Sequence, residues 1–149
     1  MIDIGSENSY IEKKLSNFSE FYFIFDDVEC QSMEGLLQSF KFPDVEKQKR
    51  VCSLVGKKAK FKGKKKKWYL DHKLYWKEQT YDRFSVEYQK LLDKAFSSLY
   101  HQNKNYKELV LSTGNDLLFH SIGKNDPKQT ILTEEEFCLR IDKLRKGLL

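Results

Sequence analysis

The chain has 149 residues, the size of one ordinary domain, with 40% hydrophobic, 14% aromatic and 33% charged residues, a balance that excludes disorder. Three cysteines, none in a C-x-x-C pair, leave no basis for a disulfide framework or a zinc site. No basic and apolar leader opens the chain and no apolar run has membrane-spanning length, so a reducing, cytoplasmic setting is expected.

Residues 1–14 are polar and without pattern, and read as a flexible arm before a single domain at 15–149. Glu20–Phe25, Asp26-Asp27 and Val28–Cys30 read as strand, tight turn and strand. Ser32 can cap a helix to about Phe42 on the apolar face of Met33, Leu36, Leu37 and Phe40, with Pro43 as its stop. Asp44 then caps a helix to about Leu54.

Eight of the eleven positions from Lys57 to Lys67 are lysine, part of a net charge of +5. Such a run either meets the phosphates of a nucleic acid or forms a solvated, loop-like connector. The Trp/Tyr-rich segment from Trp68 to Trp76 carries no clear period. Ser85 caps the longest helix, to about Tyr100, and a shorter helix covers Tyr106–Leu111 before Gly114. Leu117–His120 reads as a short buried strand or a turn. Thr133 and Glu136 form a capping box for a last helix with Phe137, Ile141, Leu144 and Leu148 in one stripe. The fold class expected is α+β, a helix-dominated domain with a small antiparallel hairpin or sheet.

The common phosphate-loop, dinucleotide, nucleophile-elbow and metalloprotease motifs do not occur. Glu34, Gln38 and Lys41 lie at i, i+4 and i+7, on one side of their helix. A carboxylate, an amide and an ammonium in that row can line a polar ligand's pocket, or can form a solvated stripe.

Leu15-Ser16-Asn17-Phe18, a hairpin, and then Ser32-x-Glu34-x-x-x-Gln38-x-x-Lys41-Phe42 resemble the opening of the NADAR (YbiA-like) family of N-glycoside hydrolases. Later landmarks with counterparts are a tryptophan after the Gly-basic stretch (Trp76, with Trp68 as rival), Leu109–Gly114, and Asn125-Asp126. The chain departs from the family at Pro127–Thr130 and Thr130–Thr133, and His120 stands where a glutamate is usual.

The resemblance implies hydrolysis of a ribose–base N-glycosidic bond, on ADP-ribosylated guanine or nucleic acid or on a ribosylamino-pyrimidine phosphate, with no cofactor and no metal. It makes Glu34 the carboxylate that activates water or offsets the oxocarbenium charge, and Asp126 the second carboxylate. Trp76 would stack on the base, Lys41 and Arg83 would meet phosphate, and Asn17, Phe18, Gln38 and His120 would complete the substrate contacts. Two further readings stay open: a catalytically silent binder of ADP-ribose or an NAD-type nucleotide, and a nucleic-acid module acting through Lys57–Lys67.

Overall fold

Fourteen short elements alternate along the chain in a computed structural model that describes residues 1–5 and 10–149. They are β1 (Ile2–Asp3), α1 (Tyr10–Lys14), β2 (Phe23–Phe25), β3 (Val28–Cys30), α2 (Met33–Ser39), α3 (Val45–Cys52) and α4 (Gly56–Lys64). A turn of 3₁₀ helix at Trp68–Leu70 leads into β4 (Lys73–Trp76) and β5 (Gln79–Asp82). The chain then forms α5 (Val86–Gln102), α6 (Lys104–Ser112), β6 (Leu118–Phe119) and α7 (Glu134–Arg145).

The caps read from the sequence do the work expected of them. Ser32, Asp44, Ser85 and Thr133 each accept a hydrogen bond from a backbone N–H in the first turn of α2, α3, α5 and α7, and Glu136 closes the capping box. Asp26 and Asp27 take positive φ in the β2–β3 hairpin. Leu148 lies beyond α7 and is exposed, so the last apolar stripe ends at Leu144.

The core is one cluster that runs from Ile4 and Leu15 through β2, β3 and α2 to α5 and α7. Helix α5 contributes Tyr88, Leu91, Leu92, Ala95, Phe96, Leu99 and Tyr100, all buried and all at helical spacing. Helix α2 lies at the centre. It packs against α3, α4, α5 and β3, and every one of its seven residues is buried, Glu34 and Gln38 included.

Two expectations are corrected. Residues 1–5 are no loose arm: β1 pairs in parallel with β6, Ile2 and Ile4 donate to Leu117 and Phe119 at 2.8 Å, and Ile4 is fully buried. Residues 10–14 form α1, while 6–9 lie outside the described residues. The lysine run is no loop: its first part is α4, whose buried Ala59 and Gly63 lie four apart and face the core while the lysines point outward. The Trp/Tyr segment, left unplaced by its period, is a turn of 3₁₀ helix at Trp68–Leu70 followed by β4, the first strand of the β4–β5 hairpin. Its turn puts Lys77 at φ 52°, and Gln48 steadies it by accepting from the Lys77 N–H at 2.9 Å.

If β1 anchors the fold, Ile4→Ala loses about 2–5 kcal/mol, the range for truncating a buried isoleucine. Urea denaturation measures it. A loss under about 0.5 kcal/mol, the range of surface changes, would return residues 1–5 to the status of an arm.

Candidate functional site

The centre of the site is the row Glu34, Gln38 and Lys41 that leaves α2 toward α4. Two glycines let the backbones come close enough to bury it. A Cβ on Gly35 would stand 2.6 Å from the Leu54 carbonyl and about 3 Å from those of Val51 and Cys52, so α2 and the end of α3 meet backbone to backbone. A Cβ on Gly63 would stand 1.8 Å from Gln38 Oε1, so the Gln38 amide lies flat on α4 where a side chain is missing.

Gln38 Nε2 donates to Glu34 Oε1 at 2.9 Å. The Glu34 backbone N–H donates to the Asn17 carbonyl at 3.0 Å, which fixes the loop before β2 beside the carboxylate. Burial pushes the Glu34 pKa above the usual carboxylate range, although Gln38, Lys41, Lys60 and His120 each pull it back down. Desolvation wins over one hydrogen bond and three nearby cationic positions. The Lys41 ammonium is pushed down to about 8, again chiefly by burial, with Glu34 acting against the shift. Asn17 Oδ1 is buried and has no hydrogen-bond donor, a costly state unless a ligand supplies one.

Phe18 carries the Lys60 ammonium 5.9 Å above its ring, which brings α4 over the same loop. His120 Nδ1 bonds to the Ile4 carbonyl, its ring stands edge-on to Phe137, and its charge acts on Glu34. The structure therefore gathers Glu34, Gln38, Lys41, Asn17, Phe18 and His120 into one neighbourhood.

Three expected members do other work. Trp76 is in the core, packed on Phe25 at 5.3 Å and Phe40 at 5.7 Å, and its indole N–H donates to Asp26 at 2.8 Å. Neither ring face is free for a base. Arg83 is fully buried and holds both Glu136 oxygens, at 2.6 and 3.1 Å, and the Thr130 carbonyl at 2.9 Å. Both terminal nitrogens are committed to Glu136 on α7, and no phosphate can displace that bidentate pair cheaply. Asp126 is exposed and its carboxylate accepts from the Lys128 N–H at 3.0 Å, so Asp-Pro closes a turn here.

The spacing of α2 gave no hint of a cavity of about 230 Å³ beside Lys41. Lys66, Lys67 and Lys73 line it with the rings of Trp68 and Tyr75, against one carboxylate, Asp71. Of the two tryptophans, Trp68 is the one beside open space. The signal available in the sequence was the lysines that flank Trp68 on its N-terminal side.

The model for bacteriophage protein GP30.3 matches residues 9–146. The chain belongs to the GP30.3 family. A 17.1 kDa protein from the Gp30–rIII intergenic region of Enterobacteria phage T4 is 31% identical over 149 residues, spanning 99% of this chain and 98% of the relative. The NMR structure of the E. coli protein YbiA superposes with a TM-score of 0.64 at 15% identity, over 99% of this chain and 86% of YbiA. This GP30.3-family chain thus has the YbiA fold, in line with the resemblance drawn from Asn17–Phe42. No described helix is long and apolar enough to cross a membrane.

The lowered pKa of Lys41 gives a direct test. At pH 8 an ordinary lysine, with a pKa near 10.4, is neutral in roughly 0.4% of molecules, whereas a group with a pKa of about 8 is neutral in about half. An acylating reagent at pH 8, read by peptide mass spectrometry, should therefore modify Lys41 ahead of the exposed lysines of α4. Equal rates would mean that Lys41 keeps an ordinary, solvated ammonium.

Proposed function

We propose that this chain is an N-glycoside hydrolase that breaks the bond between a ribose and a base, with Glu34 as the working carboxylate. The single observation that carries the reading is Glu34 itself: a carboxylate buried at the centre of the fold, with its pKa raised, whose charge acts on the Lys41 ammonium and whose backbone N–H holds Asn17, a residue with a buried side-chain oxygen that lacks a donor. Structural carboxylates are normally held low by their partners, as Glu136 is by Arg83, the Thr133 N–H and Gln89 despite its own burial. A carboxylate kept high among buried polar groups suits proton transfer near neutrality.

The chemistry follows from those atoms. Departure of the base leaves positive charge on the ribose ring, and a water must then attack its anomeric carbon. Glu34 takes the proton from that water, a role the raised pKa favours over that of a fixed counter-charge, while the base nitrogen leaves with the electron pair of the broken bond and gains a proton, so that the net change is addition of one water. Gln38 holds the carboxylate in place through its amide N–H. Asn17 Oδ1 accepts from a ribose hydroxyl, the kind of donor it lacks in the protein. Lys41 faces the phosphate, and His120 adds a ring whose nitrogen is held by the Ile4 carbonyl. The substrates in view are an ADP-ribosylated guanine or nucleic acid, or a ribosylamino-pyrimidine phosphate.

One observation favours a second reading, a nucleotide binder without turnover. The turn that occupies Asp126 leaves Glu34 without the second carboxylate that the resemblance implied.

Single-turnover release of free base from each substrate separates the two. Glu34→Gln should lower the rate about a hundredfold or more, the scale of a lost general base, while substrate still binds. Stability should move the other way. Because the folded-state pKa is raised, wild type loses stability as pH climbs from the unfolded value of about 4.3 through the folded value, and the variant is spared that loss. At pH 7 Glu34→Gln should therefore be at least as stable as wild type. Equal release rates would remove Glu34 from the chemistry. Nucleotide binding without release in wild type would favour the silent binder.

A further inference from the structure

Between Glu46 and Asp71 the chain contains no acidic residue, yet it contains the lysine run as well as Lys47, Lys49 and Arg50. The fold concentrates this charge. Helix α4 turns Ala59 and Gly63 inward and leaves Lys57, Lys58, Lys60, Lys62 and Lys64 on its outer side, and Lys65, Lys66 and Lys67 continue the exposed run. Among the described residues no carboxylate lies within ion-pair distance of any of these eight.

The same surface exposes rings. Phe61 is 60% exposed and Tyr69 49%, and the Lys64 ammonium stands 5.9 Å from the Phe61 ring. The run ends at the cavity walled by Lys41, Lys66, Lys67, Lys73, Trp68 and Tyr75. A track of cations with bare aromatic faces set along it is the arrangement that takes an unpaired polynucleotide, since each phosphate finds an ammonium and each base a ring. A duplex hides its base faces and could use only the lysines. A membrane surface would need an apolar face, and α4 offers Phe61 as its one exposed apolar side chain.

We propose that α4 and the lysine-walled cavity beyond it form a binding surface for single-stranded nucleic acid, with phosphates on the lysines and bases stacked on Phe61 and Tyr69. A strand on this track ends in the cavity at Lys41, the residue that borders both the cavity and Glu34. The surface stands whether or not Glu34 breaks a bond. Where both hold, the substrate is carried on a strand rather than free in solution.

The experiment is fluorescence anisotropy with labelled oligo(dT) and oligo(U) of about 15 nucleotides, at the upper end of such site sizes. A duplex of the same length and phosphatidylserine vesicles are the competitors. The two oligonucleotides distinguish DNA from RNA as the strand. Wild type should bind a single strand in preference to duplex and vesicles. The combined variant Lys57→Gln, Lys58→Gln, Lys62→Gln and Lys64→Gln, with helicity checked by circular dichroism, should reduce the slope of log K against log salt by about 3, because each ammonium that meets a single-strand phosphate adds about 0.7 to it. Phe61→Ala and Tyr69→Ala should each weaken binding about tenfold while leaving that slope unchanged. Absence of saturable strand binding overturns the proposal. So does duplex or vesicle binding as tight as strand binding, with no effect of Phe61→Ala or Tyr69→Ala, because the lysines would then be a general polyanion surface.

Discussion

The burial of α2 on every side is the constraint from which the rest follows. A seven-residue helix surrounded by α3, α4, α5 and β3 must bring its polar residues inside along with its apolar ones. The close approaches at Gly35 and Gly63 leave no room for water on those sides. Glu34 is thereby moved from the usual exposed glutamate in a first helical turn to a carboxylate that burial keeps above its ordinary pKa. Lys41, one turn beyond the Gln38 amide, is pulled down for the same reason. Two charges are disfavoured together, and the Asn17 and Gln38 side-chain oxygens are buried without a donor. A core designed for stability alone would have apolar residues at these positions.

Local chemistry was legible in the sequence wherever the structure depends on neighbours along the chain. Ser32, Asp44, Ser85 and Thr133 cap their helices because a hydroxyl or carboxylate reaches a backbone N–H two or three residues on. Asp26-Asp27 tolerates positive φ, and the hairpin follows. The elements that could not be read depend on distant partners. Ile2 and Ile4 alternate around Asp3 over too short a run to signal a strand, and their N–H groups donate to the distant carbonyls of Leu117 and Phe119. The β4–β5 turn has no glycine or asparagine; Gln48, on α3, steadies it instead. The lysine run looked like a loop for its charge, yet lysine is a good helix former, and Ala59 and Gly63 supply a narrow face that fits against Gln38.

The site divides in the same way. The spacing of Glu34, Gln38 and Lys41 placed them on one side of a helix and could not say whether that side meets water or protein. Trp76 follows from order along the chain and Arg83 from the resemblance, and each is claimed by a residue far away in sequence: Asp26 for Trp76, and Glu136, which also closes a capping box, for Arg83. Trp68 lies beside the cavity because β4 folds back under α2, where the Tyr75 N–H donates to the Phe40 carbonyl at 2.6 Å. The lysines before Trp68 are the one local feature that distinguishes the two tryptophans.

The central matter is whether Glu34 is a buried, high-pKa carboxylate or one more solvated glutamate. Carbon-detected NMR titration of the side-chain carboxyls, with the Glu34 signal assigned by its loss in Glu34→Gln, measures this without any substrate. A titration midpoint clearly above the ordinary value of about 4.3 is expected. A midpoint at or below that value would contradict the burial of Glu34, and with it the site built around α2.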